Sequence, residues 1–217
     1  MTSARLTSSR LKAALAVAAI TAASLSLGGC VTLFPKTKPA QLYSFGSRVG
    51  VTPTPPDLSS EAPVGMLRIT YDFPRAADKE QILTRAGDGD AYIAGARWIA
   101  PASVLFQEAS ERAFDTSNPP IRLLQGSDNG IATATLRMEV QTFETDYPLG
   151  WKGSPTVVVR VRTLLFRVND HNPPLEGHFE SRKQVEDNRV GEIVAGYDAA
   201  TADVLDQAVR WTVDHAR

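Results

Sequence analysis

Residues 132–141 read ATATLRMEVQ, and apolar and polar side chains alternate along the whole stretch. An alternation with a period of two is typical of a β-strand with one buried face. The expected buried side consists of Ala132, Ala134, Leu136, Met138 and Val140, and the opposite side of Thr133, Thr135, Arg137, Glu139 and Gln141. This stretch therefore predicts a long strand that packs against a core on one side only.

The sequence downstream of this strand continues the same pattern. A second strand is predicted by the alternating residues Val157, Val159, Val161 and Leu165. The turn-forming cluster at 169–174 (NDHNPP) then leads into a third strand at about 177–186. Because turns join these three consecutive strands, we expect them to form an antiparallel meander.

Shorter strands are predicted upstream. Leu67, Ile69 and Tyr71 alternate with polar neighbours. Residues 81–85 and 91–94 flank the turn AGDGD, and Asp-Gly between two strand-like segments is typical of a β-hairpin because glycine adopts positive φ at little cost. One further short strand is predicted at 41–45 (QLYSF), and we expect it to pair with the main sheet.

Two helices are predicted as well. Pro101 suits the N1 position of the first helix, where its missing N–H costs nothing. The apolar stripe of this helix consists of Ala102, Leu105, Phe106, Ala109 and Ala113. The second helix runs from about 194 to 216, with Ala202, Leu205, Val209, Val213 and Ala216 facing the core and a second apolar line of Ala200, Val204, Ala208 and Trp211. This second line is either buried within the domain or an interface, for which Trp211 is the candidate contact.

Together these elements predict a single α/β domain over residues 64–217, with a mixed, largely antiparallel sheet packed by at least two helices. The chain has 217 residues, of which 43% are hydrophobic, and a formal net charge of -1. This composition excludes a disordered acidic chain and a polytopic membrane protein. The balanced charge gives no support for nucleic-acid binding, and the one cysteine cannot form an intramolecular disulfide or a structural zinc site.

The first 30 residues have the pattern of a secretory signal. Arg5, Arg10 and Lys12 precede or open an apolar stretch at 11–27, which ends in LGGC at 27–30. Leu27, Gly28, Gly29 and Cys30 resemble the bacterial lipobox. That resemblance implies that residues 1–29 are a signal peptide, that cleavage occurs before Cys30, and that Cys30 carries a diacylglycerol and a fatty acyl chain such as palmitate. A transmembrane anchor or an ordinary soluble secretory signal are the alternatives.

Residues 30–63 are predicted to be a lipid-anchored N-terminus and tether, which includes the short strand at 41–45. The part at 46–63 is rich in proline, glycine, serine and threonine. Proline prevents regular ladder pairing and favours extended, semi-rigid chain. The sequence therefore predicts an anchor, a spacer and a folded domain, in that order.

Catalytic motifs are absent from the sequence. There is no P-loop and no G-x-S-x-G nucleophile elbow. His171, His178 and His215 lack the helical spacing of metal ligands. We therefore expect no enzymatic activity, no metal and no cofactor other than the lipid on Cys30. A dispersed Ser–His–Asp triad stays open, because its members need not be adjacent in sequence.

The loop between the two most regular strands, 144–155, reads ETDYPLGWKGSP. Tyr147, Leu149 and Trp151 are large apolar residues among prolines and glycines, which is unusual because such loops normally run over the surface. In one interpretation Trp151 folds back and caps the open end of the core. In the other, the three residues form a tip that contacts a protein partner or the lipid headgroup layer.

Several short motifs resemble the ABC-type transport auxiliary lipoproteins, the PqiC-like family. Tyr43-Ser-Phe resembles the opening strand of that family. The segment from Ile82-Leu-Thr-Arg85 through Tyr92 to Trp98-Ile-Ala-Pro101 is similar to its core stretch, in which a short strand leads to a Trp-x-x-Pro helix start. Thr84 stands where the family pattern has tyrosine, and Ala102 where it has a second proline. The resemblance covers nearly the whole mature chain, and its motifs are structural.

The resemblance implies a periplasm-facing, outer-membrane lipoprotein that works beside an Mce-type ABC transport system, which moves lipids between the inner and outer membranes. The ATPase, the permease and the Mce-domain protein would be separate chains and partners of this one, with room for a homo-oligomeric ring. Val31 lacks the aspartate that retains enterobacterial lipoproteins at the inner membrane. The alternatives are a structural or assembly lipoprotein of another envelope complex, or an envelope hydrolase.

Overall fold

In the part of the chain that the structure describes, the fold is built around one eight-stranded sheet and two helices. The computed structural model describes residues 39–47, 49, 65–117, 121–124, 128, 130–168 and 170–216. The predicted signal peptide, the lipobox with Cys30 and most of the predicted tether lie outside these residues. The described residues belong to one compact unit that begins at Pro39.

The strands and helices follow one another in the predicted order. The elements are β1 Gln41–Tyr43, β2 Met66–Asp72, β3 Gln81–Ala86, β4 Gly89–Trp98, α1 Ala102–Asp115, β5 Arg122–Leu123, β6 Ala134–Asp146, β7 Thr156–Arg167, β8 Leu175–Gln184 and α2 Val190–His215. Pairing follows the order β1-β4-β3-β6-β2-β5, and β7 and β8 continue the sheet from the other edge of β6. The fold class is therefore confirmed as a mixed α/β domain.

The antiparallel meander is confirmed. β6 pairs with β7 along its whole length, and β7 pairs with β8 from Thr156 to Leu165. Ala134, Leu136, Met138 and Val140 are buried, as the alternation predicts. A register shift between Val140 and Thr142 then brings Phe143 onto the buried side, which is a β-bulge that the regular pattern at 132–141 does not show.

The remaining pairings of the sheet are shorter, and most of them are parallel. β2 pairs in parallel with the first half of β6, while β3 pairs in parallel with Thr145 and Asp146 at its end. β1 pairs in parallel with β4, so the predicted N-terminal strand does join the main sheet. It ends at Tyr43 instead of Phe45, because the chain turns inward there and buries the Phe45 ring in the core.

The chain immediately after β1 is part of the domain. Phe45 and Val49 are buried, the Arg112 guanidinium donates to the Gly46 carbonyl over 3.0 Å, and the Ser47 hydroxyl donates to the Asp198 carboxylate over 3.3 Å. These contacts pack residues 45–47 and 49 onto the domain, with Gly46 bonded to α1 and Ser47 to α2. Described residues within the predicted 30–63 tether are therefore attached to the core.

Helix α1 begins one residue later than predicted. Pro101 is the N-cap residue, with φ -49° and ψ 139°, and its carbonyl accepts the amide protons of Val104 and Leu105. Its extended ψ places it before the first helical residue, Ala102, instead of at N1. The buried stripe is Ala102, Leu105, Phe106 and Ala109, as predicted, and continues through Ser110 and Phe114, while Ala113 is only partly buried.

Helix α2 is longer than predicted and buried over a wide arc. It begins at Val190, and its early residues Ile193 and Tyr197 reach the core. Both apolar lines lie within the domain, where the buried residues include Ala200, Val204, Leu205, Ala208, Val209 and Val213. Ala202 and Ala216 are only partly buried, which corrects the expected core stripe. The helix is thus sandwiched, because it packs on β7 and β8 on one side and on α1 on another.

Four aromatic rings join the N-terminal segment, the sheet and α2. The Trp98 ring lies 5.0 Å from that of Phe45 and 5.2 Å from that of Tyr197, both in edge-on geometry. The Phe143 ring lies 4.8 Å from Tyr197. Burial of one aromatic side chain is worth about 2–3 kcal/mol, so this cluster is a major source of stability. The Tyr197 hydroxyl donates to the Leu83 carbonyl and accepts from Thr145.

Different loops lie at the two ends of the sheet. At one end, called the tip end, lie the β3–β4 turn, the β6–β7 loop at 147–155 and the β8–α2 connection at 185–189. At the opposite end, called the far end, lie the β7–β8 turn and the end of α2, where the Arg167 guanidinium donates to the His215 carbonyl over 2.7 Å. None of the helices in the described part of the chain has the length and apolar character needed to cross a membrane.

Candidate docking surface at the tip end

The β6–β7 loop continues β6 as a stack of two tight turns. The Tyr147 amide donates to the Arg85 carbonyl over 2.8 Å, which extends the β3–β6 pairing by one residue. The Gly150 amide then donates to the Tyr147 carbonyl, and the Gly153 amide to the Gly150 carbonyl. Gly150 has a φ of 80°, a conformation that glycine adopts at no steric cost and other residues rarely adopt. The loop sequence thus folds locally into a compact tip.

Asn188, on the β8–α2 connection, fixes this tip in place. Its side-chain oxygen accepts the Tyr147 hydroxyl proton over 2.7 Å, and its side-chain nitrogen donates to the Trp151 carbonyl over 3.1 Å. Two further bonds join the same segments, from the Val185 amide to the Pro155 carbonyl and from the Ser154 hydroxyl to the Glu186 carbonyl. The tip is therefore tied to the rest of the domain at both of its ends.

The three large residues of the loop have different environments. Tyr147 is only 5% exposed, whereas Leu149 is 85% exposed and Trp151 is 47% exposed. The rings of Tyr147 and Trp151 are 5.4 Å apart, so Trp151 rests on the buried tyrosine. Tyr147, not Trp151, caps the end of the core, and burial raises the pKa of its hydroxyl. The surface that the tip presents is therefore made by Leu149 and Trp151, without the Tyr147 side chain.

A cluster of charges lies at the base of the tip. Arg85 contacts Asp90 over 2.9 Å and Glu144 over 3.2 Å. Glu144 is largely buried, and this burial raises the pKa of its carboxyl, an effect that Arg85 partly opposes. The hydrogen bond to Asp90 raises the pKa of Arg85. Arg85 thus compensates buried negative charge where β3 and β6 meet, which gives this motif residue a structural role.

The other residues of the sequence motifs lie along β1, β4 and the start of α1. Tyr43 is partly buried, and its carbonyl accepts the Ile99 amide proton. The Tyr92 hydroxyl donates to the Ala76 carbonyl over 3.0 Å. Trp98 is 1% exposed in the aromatic cluster, and Pro101 caps α1. Tyr43 pairs with Trp98 across β1 and β4, whereas the Tyr92 hydroxyl is bonded to Ala76, so these four residues do not form one site.

Trp211 lies apart from the tip, in the last turns of α2. Its ring packs edge-on against Phe179 at 6.1 Å and stacks on His215 at 4.8 Å. Of the apolar line predicted on this helix, Ala200, Val204 and Ala208 are fully buried, and only part of Trp211 reaches the surface. Trp211 and the tip therefore do not belong to one continuous surface.

Two residues that organise this region are not evident from the sequence. Asn188 bridges Tyr147 and Trp151 from a segment 41 and 37 residues away. Tyr197 lies in the centre of the core, and its spacing of four residues from Ile193 and Thr201 is the helical signal that would find it. The helix predicted from the sequence starts at 194, so Ile193 lies outside that predicted helix and the spacing of four residues is not apparent.

Two of the described histidines have a close polar neighbour, and neither neighbour is a hydroxyl or thiol nucleophile. His178 contacts Glu176 over 2.7 Å, and His215 contacts the Trp211 carbonyl over 2.7 Å. Among the described residues, three serine hydroxyls donate to aspartate carboxylates: Ser47 to Asp198, Ser103 to Asp78, and Ser181 to Asp203. Within the part of the chain that the structure describes, no group of three or more His, Cys, Asp or Glu residues is placed to hold a metal ion.

Comparisons with known proteins give the family of the chain from its sequence and support its fold from solved structures. The family model described as ABC-type transport auxiliary lipoprotein component matches residues 47–209. A Xanthomonas campestris protein assigned to DUF330 superposes with a TM-score of 0.67 at 20% identity, over 81% of this chain and 95% of that one. A second solved structure, of an uncharacterized protein, superposes with a TM-score of 0.60 at 12% identity, over 80% of this chain and 99% of that one. At these identities the structures support the fold alone. No curated protein matches the sequence.

Proposed function

We propose, because this chain belongs to the family of ABC-type transport auxiliary lipoproteins, that it is the lipid-anchored, non-catalytic component of an Mce-type ABC transport system. Such a system moves lipids between the inner and outer membranes. The observation that carries the proposal is the family match, which spans almost the whole folded domain. The family assignment implies a transporter partner, and the proposal identifies that partner as an Mce-domain protein with its permease and ATPase.

The anchor in this proposal is the lipid on Cys30. The residues Leu27, Gly28 and Gly29 before the cysteine resemble the lipobox, and Cys30 is the one cysteine of the chain. A single acyl chain gives only marginal membrane binding, whereas two or more give stable anchoring. Val31 after the cysteine carries no retention signal of the aspartate type, so the proposed destination is the periplasmic face of the outer membrane.

The domain in this proposal acts as an adaptor that binds and positions other components. Its motif residues Arg85, Trp98 and Pro101 stabilise the fold through an ion pair, an aromatic cluster and a helix cap. Leu149 and Trp151 are presented on a loop that hydrogen bonds hold in place. Preorganised apolar surface is what an adaptor needs, because little conformational entropy remains to be lost on contact.

Labelling and fractionation test the anchor. Cells that express the wild-type chain are fed an alkyne fatty acid, and inner and outer membranes are separated on a density gradient. We expect labelled protein in the outer-membrane fraction. The control, Cys30→Ser, is expected to be unlabelled and to accumulate as an uncleaved precursor or a mislocalised product. Unlabelled wild-type protein would refute the lipoprotein assignment.

Genetic epistasis tests the transport role. Deletion of this chain and deletion of the Mce-domain protein are expected to cause the same loss of detergent resistance, and the double deletion to be no worse than either. An additive defect in the double deletion would place the chain in a different envelope process, such as the assembly of another complex.

A further inference from the structure

We infer that the tip formed by Leu149 and Trp151 is seated in the headgroup layer of the same membrane that holds the acylated Cys30. This inference rests on the proposed anchoring at Cys30. It assigns the exposed tip to a lipid surface of zwitterionic phospholipid and thereby orients the domain on the membrane.

The direction of β1 supports this orientation. β1 runs parallel to β4, and Gln41 lies beside Ala96. Since β4 starts at Gly89 at the tip end, the chain that leads into β1 comes from the direction of the tip end.

The number of residues before β1 matches the distance to be covered. Gly89 precedes Ala96 by seven residues, which is about 23 Å at the rise of a β-strand. Nine residue steps separate Cys30 from Pro39, and an extended chain of that length reaches about 30 Å. Nine residue steps of extended chain are therefore longer than this part of β4.

The side chains of the tip suit a bilayer surface. Leu149 and Trp151 place apolar area in solvent at the outermost point of the loop, and the exposed Lys152 beside them can extend its ammonium group back to water. An indole ring, apolar with one polar N–H, favours the headgroup region of a membrane. Asp88 is exposed on the neighbouring turn, and its negative charge offsets that of Lys152, a balance that suits a zwitterionic headgroup layer.

The rigidity of the tip argues in the same direction. Asn188 holds the Trp151 backbone, and the buried Tyr147 ring supports the indole from below. The apolar surface therefore cannot withdraw into the core. A membrane-held domain with this surface gains free energy by placing it in the bilayer, because contact removes apolar area from water at little entropic cost.

Site-specific photo-crosslinking tests the inference, and the chain provides a matched control. Ile131 at the far end is 80% exposed, close to the 85% of Leu149. A benzophenone amino acid replaces either residue in the acylated chain, which is reconstituted into vesicles of phosphatidylcholine and phosphatidylethanolamine. We expect lipid adducts from position 149 and almost none from position 131. Thermal melting of both variants checks that they are folded.

The outcomes separate the tip from the anchor. If the protein floats with the vesicles but position 149 gives no more lipid adduct than position 131, the tip does not touch the membrane and the inference is overturned, while the anchor stands. If the acylated protein does not float with the vesicles, the lipid on Cys30 does not anchor it, and both the proposed anchoring and the inference are overturned. In cells, adducts of position 149 to protein alone would overturn the membrane assignment in favour of a protein partner.

A fluorescence measurement provides a second readout on the unaltered side chain. Brominated phospholipids quench indole emission only at short range. The emission of Trp151, taken as wild type minus Trp151→Phe, is expected to lose most of its intensity in brominated vesicles. The Trp151→Phe variant, which emits from the buried Trp98 and from Trp211 at the far end, is expected to keep its emission. Equal emission in brominated and ordinary vesicles would overturn the inference.

Discussion

Substitutions within the tip should separate stability from contact, because the structure gives Tyr147 and Leu149 different environments. Tyr147→Ala removes a buried aromatic ring, worth about 2–3 kcal/mol, and a hydrogen bond to Asn188, worth about 1 kcal/mol. We therefore expect a loss of about 3–4 kcal/mol. Tyr147→Phe removes only the hydrogen bond and should cost about 1 kcal/mol.

Leu149 provides the matched comparison on the same loop. Its side chain is almost fully exposed, so Leu149→Ser should change the free energy of unfolding by no more than about 0.5 kcal/mol. Trp151→Ser should fall between the two, because half of its ring rests on Tyr147. Leu149→Ser and Trp151→Ser are instead expected to reduce membrane contact.

Urea denaturation of the mature chain carrying Cys30→Ser, which purifies without lipid, measures these differences at equilibrium. In a domain of this size, each kcal/mol shifts Tm by about 2–4 °C, so Tyr147→Ala should melt roughly 10 °C below wild type. The reasoning would be refuted if Tyr147→Ala unfolded within about 0.5 kcal/mol of wild type, or if Leu149→Ser cost as much as Tyr147→Ala.

Three further predictions concern other residues. Gly150→Ala should lower stability by about 1 kcal/mol in urea unfolding, because φ is 80° with open space around the new methyl group; an unchanged midpoint would argue against this conformation. Arg85→Met should raise the pKa of Glu144 further. A carboxyl whose folded-state pKa is raised lowers the free energy of unfolding as pH increases through that pKa. The free energy of unfolding of Arg85→Met should therefore be close to that of wild type at acidic pH and fall further below it towards neutral pH. A difference that does not change with pH would contradict the role of Glu144. Trp211→Ala should cost about 2 kcal/mol through lost contact with Phe179 and leave the molar mass in light scattering unchanged, whereas a drop in mass would show that Trp211 mediates self-association.

The strands could be predicted where a single local pattern determined them. In β6, the alternation up to Val140 reflects one continuous buried face, and the structure follows it. The register shift after Val140 depends on pairing with β7, which no local pattern contains, so Phe143 could not be placed. In α2, the two apolar lines were visible in the sequence, but their burial depends on packing against the sheet and α1.

The candidate site could be located from the sequence but not resolved residue by residue. Large apolar residues in a turn-rich stretch pointed to a loop at 144–155, of which the structure assigns 144–146 to β6. Which of them caps the core depends on Asn188, which is distant in sequence and contributes through two hydrogen bonds of its side chain. The helix start at Pro101 was predicted within one residue, because the fixed φ of proline is compatible with both N1 and the N-cap.

The most direct test of the central proposal is affinity purification of the tagged, acylated chain from detergent-solubilised envelopes, with mass spectrometry of everything that co-purifies. The proposal predicts an Mce-domain protein, together with its permease and ATPase, and an N-terminal peptide that begins at a lipid-modified Cys30. Recovery of a different envelope complex without any Mce-domain protein, or of a chain that is not acylated, would contradict it.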